Sequence, residues 1–246
     1  MKSTHKVQRP TFEEVAVAAR DWFVTQAQKA IAERGKCIVA LSGGSTPKRL
    51  YELLAEVDEG SIDWEKIHLF WGDERVVPAN HADSNYRMVR VALLDRLKDS
   101  MPKVYRIPTG QQAADRAARE YELIMREFAC GATFHFDIVL LGIGDDAHTA
   151  SLFPETHALT VTDRWVVANH VEKLSTTRVT LTAPVLNSAN HVAFLVCGSS
   201  KQWAIDKILG TNRNPTLYPA QLIHPSGELW WFIDEAIKLN GVSSNV

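Results

Sequence analysis

The sequence predicts an α/β fold: a Rossmann-like, doubly wound and mainly parallel sheet with helices on both faces. Short apolar runs alternate with segments of helical period along the whole chain, as strand–helix–strand units require. The runs are continuous rather than alternating, as in strands covered on both faces. Several end in glycine beside hydroxyl or titratable side chains, and the carboxyl ends of such strands are where open α/β sheets hold ligands. No linker, internal repeat or low-complexity segment divides the 246 residues, so a single unit over 1–246 is expected, with a polar tail over 1–10.

In chain order, Thr11 and Glu14 have the spacing of a capping box. Apolar residues from Phe12 to Ile31 then recur at helical period up to Gly35, which predicts a long amphipathic helix. Cys37 to Leu41 reads as a buried strand leading through Ser42-Gly43-Gly44-Ser45-Thr46-Pro47 into a helix that begins near Lys48. Ile67 to Trp71 is a second strand, followed by a charged turn, Gly72-Asp73-Glu74-Arg75-Val76-Val77-Pro78. Asp83-Ser84-Asn85-Tyr86 caps a helix to about Leu97, Val104 to Ile107 is a short strand, and Gln111 to Phe128 is helical. Phe136 to Leu141 is the central strand. Trp165 to Val171 and Arg178 to Thr182 are extended, the second leading to a helix start at Pro184. His191 to Cys197 is another buried strand, a helix runs from Gly198-Ser199-Ser200-Lys201 to Leu209, and Leu229 to Ile233 is a late strand.

Composition narrows the function. Hydrophobic residues make up 46% and charged residues 23%, ordinary values for a globular enzyme. Net charge is -2 with no block of one sign, which argues against a nucleic-acid partner. Three cysteines cannot all pair, and neither CxxC nor HExxH spacing occurs, so no metal site is expected. The first ten residues lack the apolar core of a signal peptide. The expectation is a cytoplasmic protein without a membrane partner.

The central strand ends in Gly142-Ile143-Gly144-Asp145-Asp146-Ala147-His148-Thr149-Ala150-Ser151-Leu152-Phe153-Pro154. Glycines turn the backbone sharply, and two carboxylates and a histidine follow at once. A lone loop histidine is more often a surface or capping group, but this setting marks His148 as the centre of an active site. Gly142 to Ala147, with Asp163 further on, also fits a dinucleotide fingerprint, yet Pro154 leaves no room for the helix that fingerprint needs. The turn Ser42, Gly43, Gly44, Ser45 and Thr46 at a helix start is a cradle for one phosphate; the competing reading is a plain strand-to-helix turn. It is not a nucleotide-triphosphate loop, because no Gly-Lys-Ser/Thr follows. Asp73 and Arg75 offer proton transfer and charge stabilisation unless they form a surface ion pair. Lys201, at another helix start, is a further phosphate ligand.

Three blocks in this order make the chain resemble the 6-phosphogluconolactonase family. They are Leu41 to Pro47, then Trp71 to Pro78 with Ser84-Asn85-Tyr86, then Gly142 to Pro154. The resemblance implies a sheet of the type shared by sugar-phosphate isomerases and coenzyme A transferases, with no metal or organic cofactor. It implies hydrolysis of 6-phospho-D-glucono-1,5-lactone to 6-phospho-D-gluconate in the oxidative pentose phosphate route. His148 would be the general base and Asp73 its supporting neighbour. Gly43 to Thr46, Arg178 and Lys201 would hold the phosphate, and Arg75 would face the phosphate or the oxyanion. Related glucosamine-6-phosphate deaminases differ after the histidine, where Thr149 to Pro154 favours the lactonase; a deaminase, or a sugar-phosphate sensor without catalysis, is the alternative. The partner is a small phosphorylated lactone, and the oligomeric state stays open between monomer and small homo-oligomer. The family usually has glycine where this chain has Ala147, so a positive φ there would strain the loop.

Overall fold

The computed structural model describes residues 3–98, 100–110 and 112–238. Its regular elements are β1 (Thr4–Arg9), α1 (Phe12–Arg34), β2 (Cys37–Leu41), α2 (Ser45–Leu54), β3 (Ile67–Trp71), β4 (Asp73–Arg75), α3 (Asn85–Ala92), β5 (Lys103–Tyr105), α4 (Ala114–Ala129), β6 (Ile138–Leu141), β7 (Val166–Val171), β8 (Thr176–Leu181), α5 (Ala183–Asn187), β9 (His191–Val196), α6 (Gln202–Leu209) and β10 (Glu228–Asp234). Seven strands form one sheet in the order β1-β10-β9-β6-β2-β3-β5, and every pairing in it is parallel. Strands β2, β3 and β6 are buried at every position, which explains their unbroken apolar runs. Trp71, Tyr51, Tyr121, Phe23 and Phe70 are the largest fully buried side chains of one continuous core.

The ends of α1 follow from local chemistry. The Thr11 hydroxyl accepts from Glu14 N at 3.2 Å, the Glu14 carboxylate accepts from Thr11 N at 3.1 Å, and Gly35 stops the helix in the left-handed conformation at φ +73°. α2 begins at Ser45, three residues earlier than the sequence predicts, with Pro47 in its first turn. Of the helix expected from Gln111, residue 111 lies outside the described residues and α4 opens at Ala114.

Two expectations need correcting. Residues 4–9, read as part of a polar tail, form the edge strand β1 on β10. An edge strand takes its ladder from one neighbour, and the half-exposed side chains of β1 carry no apolar run to announce it. The charged turn after β3 and the segments β7 and β8 are not members of the parallel sheet: they form a separate antiparallel sheet in the order β4-β8-β7. No helix among the described residues is long and apolar enough to cross a membrane.

His68 on β3 is only 7% exposed, with its Nδ1 3.2 Å from the Tyr105 hydroxyl. Burial, then the charges of Lys103 and Lys36, lower its pKa to about 4. A histidine whose folded value lies below its unfolded one stabilises the fold above the unfolded value. That contribution is lost as pH falls from about 6.5 toward 4. Urea unfolding at pH 7 and pH 5 is expected to show a loss of about 1 to 2 kcal/mol from this group; His68→Phe should reduce the difference by that amount, and an unchanged difference would exclude His68 as its source.

Candidate active site

From β2 the chain winds outward to β3 and β5, then returns to lay β6 on the other flank of β2. This reversal of direction is the place where an open α/β sheet forms a crevice. The two central strands pair only through Val39↔Ile138 and Ala40↔Val139, after which Ser42–Gly44 and Gly142–Gly144 diverge. A cleft of about 390 Å³ lies between them.

Divergence leaves backbone groups of the strand ends without ladder partners, and buried tyrosines take them. The Tyr51 hydroxyl accepts from Ser42 N at 3.0 Å and donates to Ser42 O at 2.9 Å. The Tyr121 hydroxyl does the same for Trp71, accepting from N at 2.8 Å and donating to O at 3.2 Å. Burial pushes both phenols well above their ordinary value, so they remain neutral donors. The chain then passes Gly43, where a Cβ would fall 2.1 Å from Asn85 Oδ1. Gly44, at φ +106°, precedes an α2 N-terminus that has no side-chain cap. Free amides at such an end attract an anion.

The loop after β6 is fastened at several points. Gly144 N donates to His148 O at 2.9 Å, Ala147 N to Gly144 O at 3.0 Å, and Ala220 N to Ala147 O at 3.0 Å; the Thr149 hydroxyl donates to Gly142 O at 2.8 Å. Two of these bonds are made by Ala147, which stands at φ +63°; Ala150 and Glu155, farther along, stand at +48° and +59°. The His148 ring stacks on Phe153 with centroids 3.9 Å apart and packs on Gly144, where a Cβ would lie 2.0 Å from Nδ1. Its Nδ1 is 2.5 Å from Asp146 Oδ1. Burial works against ionisation of Asp146, but the hydrogen bond and charge of His148, with Lys173 beside it, hold the carboxyl well below the usual range. An ionised carboxylate only accepts, so the nitrogen facing it, Nδ1, is the donor, and in the neutral ring the lone pair is then on Nε2.

The small antiparallel sheet builds the opposite wall. Its register sets Arg75 directly across from Arg178, and like charges in that position repel. Nε of each guanidinium is buried without a partner. Burial and Arg75 push Arg178 below its ordinary value, while Asp73, Glu74 and Asp83 draw it back. Glu74, only 2% exposed, accepts from the backbone amides of Arg75, Asn85 and Tyr86 and from the Ser84 hydroxyl. It thereby locks β4 to the start of α3. Asp73 accepts from the Ser151 hydroxyl at 2.6 Å and from Asn85 Nδ2 at 3.3 Å.

Of the residues singled out in the sequence, Ser42, Gly43, Gly44, Asp73, Arg75, His148 and Arg178 line this one cleft. Ser45 and Thr46 stand just behind it in the first turn of α2. Lys201 is not among the residues that line it; its Nζ meets Oδ1 of Asp145, a residue that does, at 2.6 Å. Asp73 is not the carboxylate on the histidine: Asp146 is, two positions before it. The spacing Asp146-Ala147-His148 is the signal that identifies the pair, since a turn between two such residues returns one side chain to the other. Lys173 and Leu174 also line the cleft, and nothing in their local sequence announces it. Ala147 does adopt the left-handed conformation that the sequence flagged as a strain.

The family described as glucosamine-6-phosphate isomerases/6-phosphogluconolactonase matches residues 10–231. A 6-phosphogluconolactonase of Synechocystis is 47% identical over 214 residues, covering 86% of this chain and 87% of that relative. One from Nostoc is 42% identical over 229 residues, covering 91% and 93%. Among solved structures, the 6-phosphogluconolactonase of Trypanosoma brucei superposes with a TM-score of 0.84 at 28% identity, over 98% of this chain and 100% of that one. That of Thermotoga maritima gives 0.81 at 30% identity, over 94% and 100%.

Tyr51→Phe keeps the ring and removes the hydroxyl that serves both backbone groups of Ser42. Leaving those groups buried and unpaired is expected to lower unfolding free energy by about 2 kcal/mol, measured by urea denaturation; a stability within about 0.5 kcal/mol of the parent would show that the strand end finds other partners.

Proposed function

The chain belongs to the family of glucosamine-6-phosphate isomerases and 6-phosphogluconolactonases, and we propose that it hydrolyses 6-phospho-D-glucono-1,5-lactone to 6-phospho-D-gluconate with His148 as general base. One observation carries this reading: a single cleft places the Asp146–His148 pair on one wall and, on the other, two guanidiniums whose Nε atoms are buried without a partner, Arg75 donating through Nη1 to Asp83 O. The first can activate water, and the second can hold a phosphate dianion.

A lactone is already an activated ester, so the cleft has three tasks: positioning, water activation and oxyanion stabilisation. His148 Nε2 takes a proton from water as the water oxygen bonds to the lactone C1. The carbonyl electrons move onto its oxygen. When the tetrahedral intermediate collapses, the bond from C1 to the ring oxygen breaks and His148 returns its proton to that oxygen. The new carboxyl ionises to bulk water. Asp146 keeps the imidazole in the productive tautomer and supports its transient charge. Arg178 and the Gly43–Thr46 turn hold the phosphate, and Arg75 serves either the phosphate or the oxyanion. Lys201 joins only by leaving Asp145.

His148→Ala is expected to lower kcat by about 100- to 10,000-fold, roughly 3 to 5 kcal/mol of transition-state stabilisation, in a coupled assay corrected for spontaneous hydrolysis. Near-parent turnover would remove His148 as the base. Gly144→Ala drives a methyl into the imidazole and should cost about 100-fold by misplacement. Arg178→Ala should raise KM more than Lys201→Ala does, and the reverse order would reassign the phosphate site. Release of ammonia from glucosamine 6-phosphate would favour the isomerase branch of the family instead; tight binding of 6-phosphogluconate without turnover would mark a sensor.

A further inference from the structure

Asp146 has two carboxylate oxygens, and the mechanism above uses one. Oδ1 meets His148 Nδ1, while Oδ2 stands 3.4 Å from Nζ of Lys173. Lys173 belongs to the turn between β7 and β8, a 3₁₀ segment Glu172–Leu174 closed by Ser175 at φ +47°. The small sheet therefore reaches the catalytic loop through this side chain. Lys173, Asp146 and His148 form a chain of cation, carboxylate and imidazole along the rim of the cleft.

The geometry points to Lys173 as a positioning residue for the hydrolysis: by holding Oδ2 of Asp146 it aims Oδ1 at the imidazole and weakens the carboxylate's support for a proton on Nε2. The inference rests on His148 being the base. The terminal torsion of a carboxylate is broad; the His148 amide meets Oδ1 at 3.3 Å, and a contact on the other oxygen narrows the angle at which the carboxylate plane meets the ring. A carboxylate shared with an ammonium also stabilises an imidazolium less than a lone carboxylate does. Without Lys173 the imidazolium gains, and the base is lost to protonation at a higher pH.

The other charged groups around the pair leave this role to Lys173. On the catalytic loop, Asp145 is neutralised by Lys201, and Glu155 lies farther along the groove beyond Asp146. From the hairpin come Glu172 and His170, and from a second 3₁₀ turn, His157–Leu159, comes His157, all lining that groove. The small sheet contributes Asp73, Arg75 and Arg178 on the opposite wall. Among the described residues, Lys173 is the cation in contact with Oδ2.

The Lys173 side chain is 73% exposed, so the coupling is modest and open to screening. The test is the pH profile of kcat/KM for freshly generated lactone in the parent, Lys173→Met and Lys173→Arg proteins. It is joined by NMR titration of the His148 imidazole in the same three. Lys173→Met is expected to move the acidic limb and the imidazole titration upward by about 0.3 to 0.7 pH unit. Lys173→Arg should restore both, and 1 M salt should move the parent, but not Lys173→Met, in the same direction. An unmoved titration with intact turnover overturns the inference, as does a tenfold rise in KM with an unmoved limb, which would make Lys173 a substrate contact. The titration needs no turnover, so absence of lactone hydrolysis in the parent would count against the assigned reaction and not against the coupling.

Discussion

A parallel sheet that reverses its winding direction cannot pair its two central strands along their full length, and the molecule is arranged around that gap. The ladder between β2 and β6 is two residue pairs long. At its amino end Asp137, only 3% exposed, closes the gap: its backbone amide donates to Ile38 O and its carboxylate accepts from Ile38 N, both at 2.8 Å. Arg34 from the end of α1 and Asn190 from before β9 complete that carboxylate's partners. At the carboxyl end the Tyr51 hydroxyl and the Thr149 hydroxyl do the corresponding work. The backbone groups of Ile38, Ser42 and Gly142 are thus paired by side chains where the ladder stops. The strands can part only because these side chains replace the missing ladder.

The cleft opened in this way has two chemically different walls. The small antiparallel sheet presents cations in a register that forces two guanidiniums together. The loop after β6 presents an imidazole backed by a carboxylate. A buried polar network fixes the distance between them: Asp73 holds the Ser151 hydroxyl, Thr180 accepts from Ser151 N, and Asn169 donates to Ser151 O. Networks of this kind specify one arrangement because each member, once buried, loses more by leaving its partner than it gained by joining.

The main sheet and its helices were legible because β2, β3, β6 and β9 are buried along nearly their whole length, and burial writes itself as unbroken apolar runs. β1 was not, since an edge strand needs only backbone pairing and its Lys6 and Gln8 look like tail residues. Nor was the second sheet: β7 and β8 have strand character, but the partner of a strand is a long-range property that local pattern does not encode. At the site, His148, the glycine turn and Arg75 were visible because their chemistry is concentrated in short motifs. The sequence shows Asp146 only as a neighbour of the histidine, and the resemblance pairs Asp73 with that ring, whereas the Asp73 carboxylate accepts from the Ser151 hydroxyl. Lys201 looked like a free cation because the carboxylate that engages it, Asp145, is 56 positions away.

The loop after β6 carries Ala147, Ala150 and Glu155 in a backbone region where a side chain costs about 1 kcal/mol or more and glycine costs little. The fold therefore spends part of a reserve of about 5 to 15 kcal/mol on the conformation of one loop. Selection for thermal tolerance and selection for catalysis would pull in opposite directions there. Glycine would relax the main chain, yet it would also enlarge the ensemble from which the imidazole must be drawn. A glycine at any of those three positions would therefore exchange backbone ease for order in the loop.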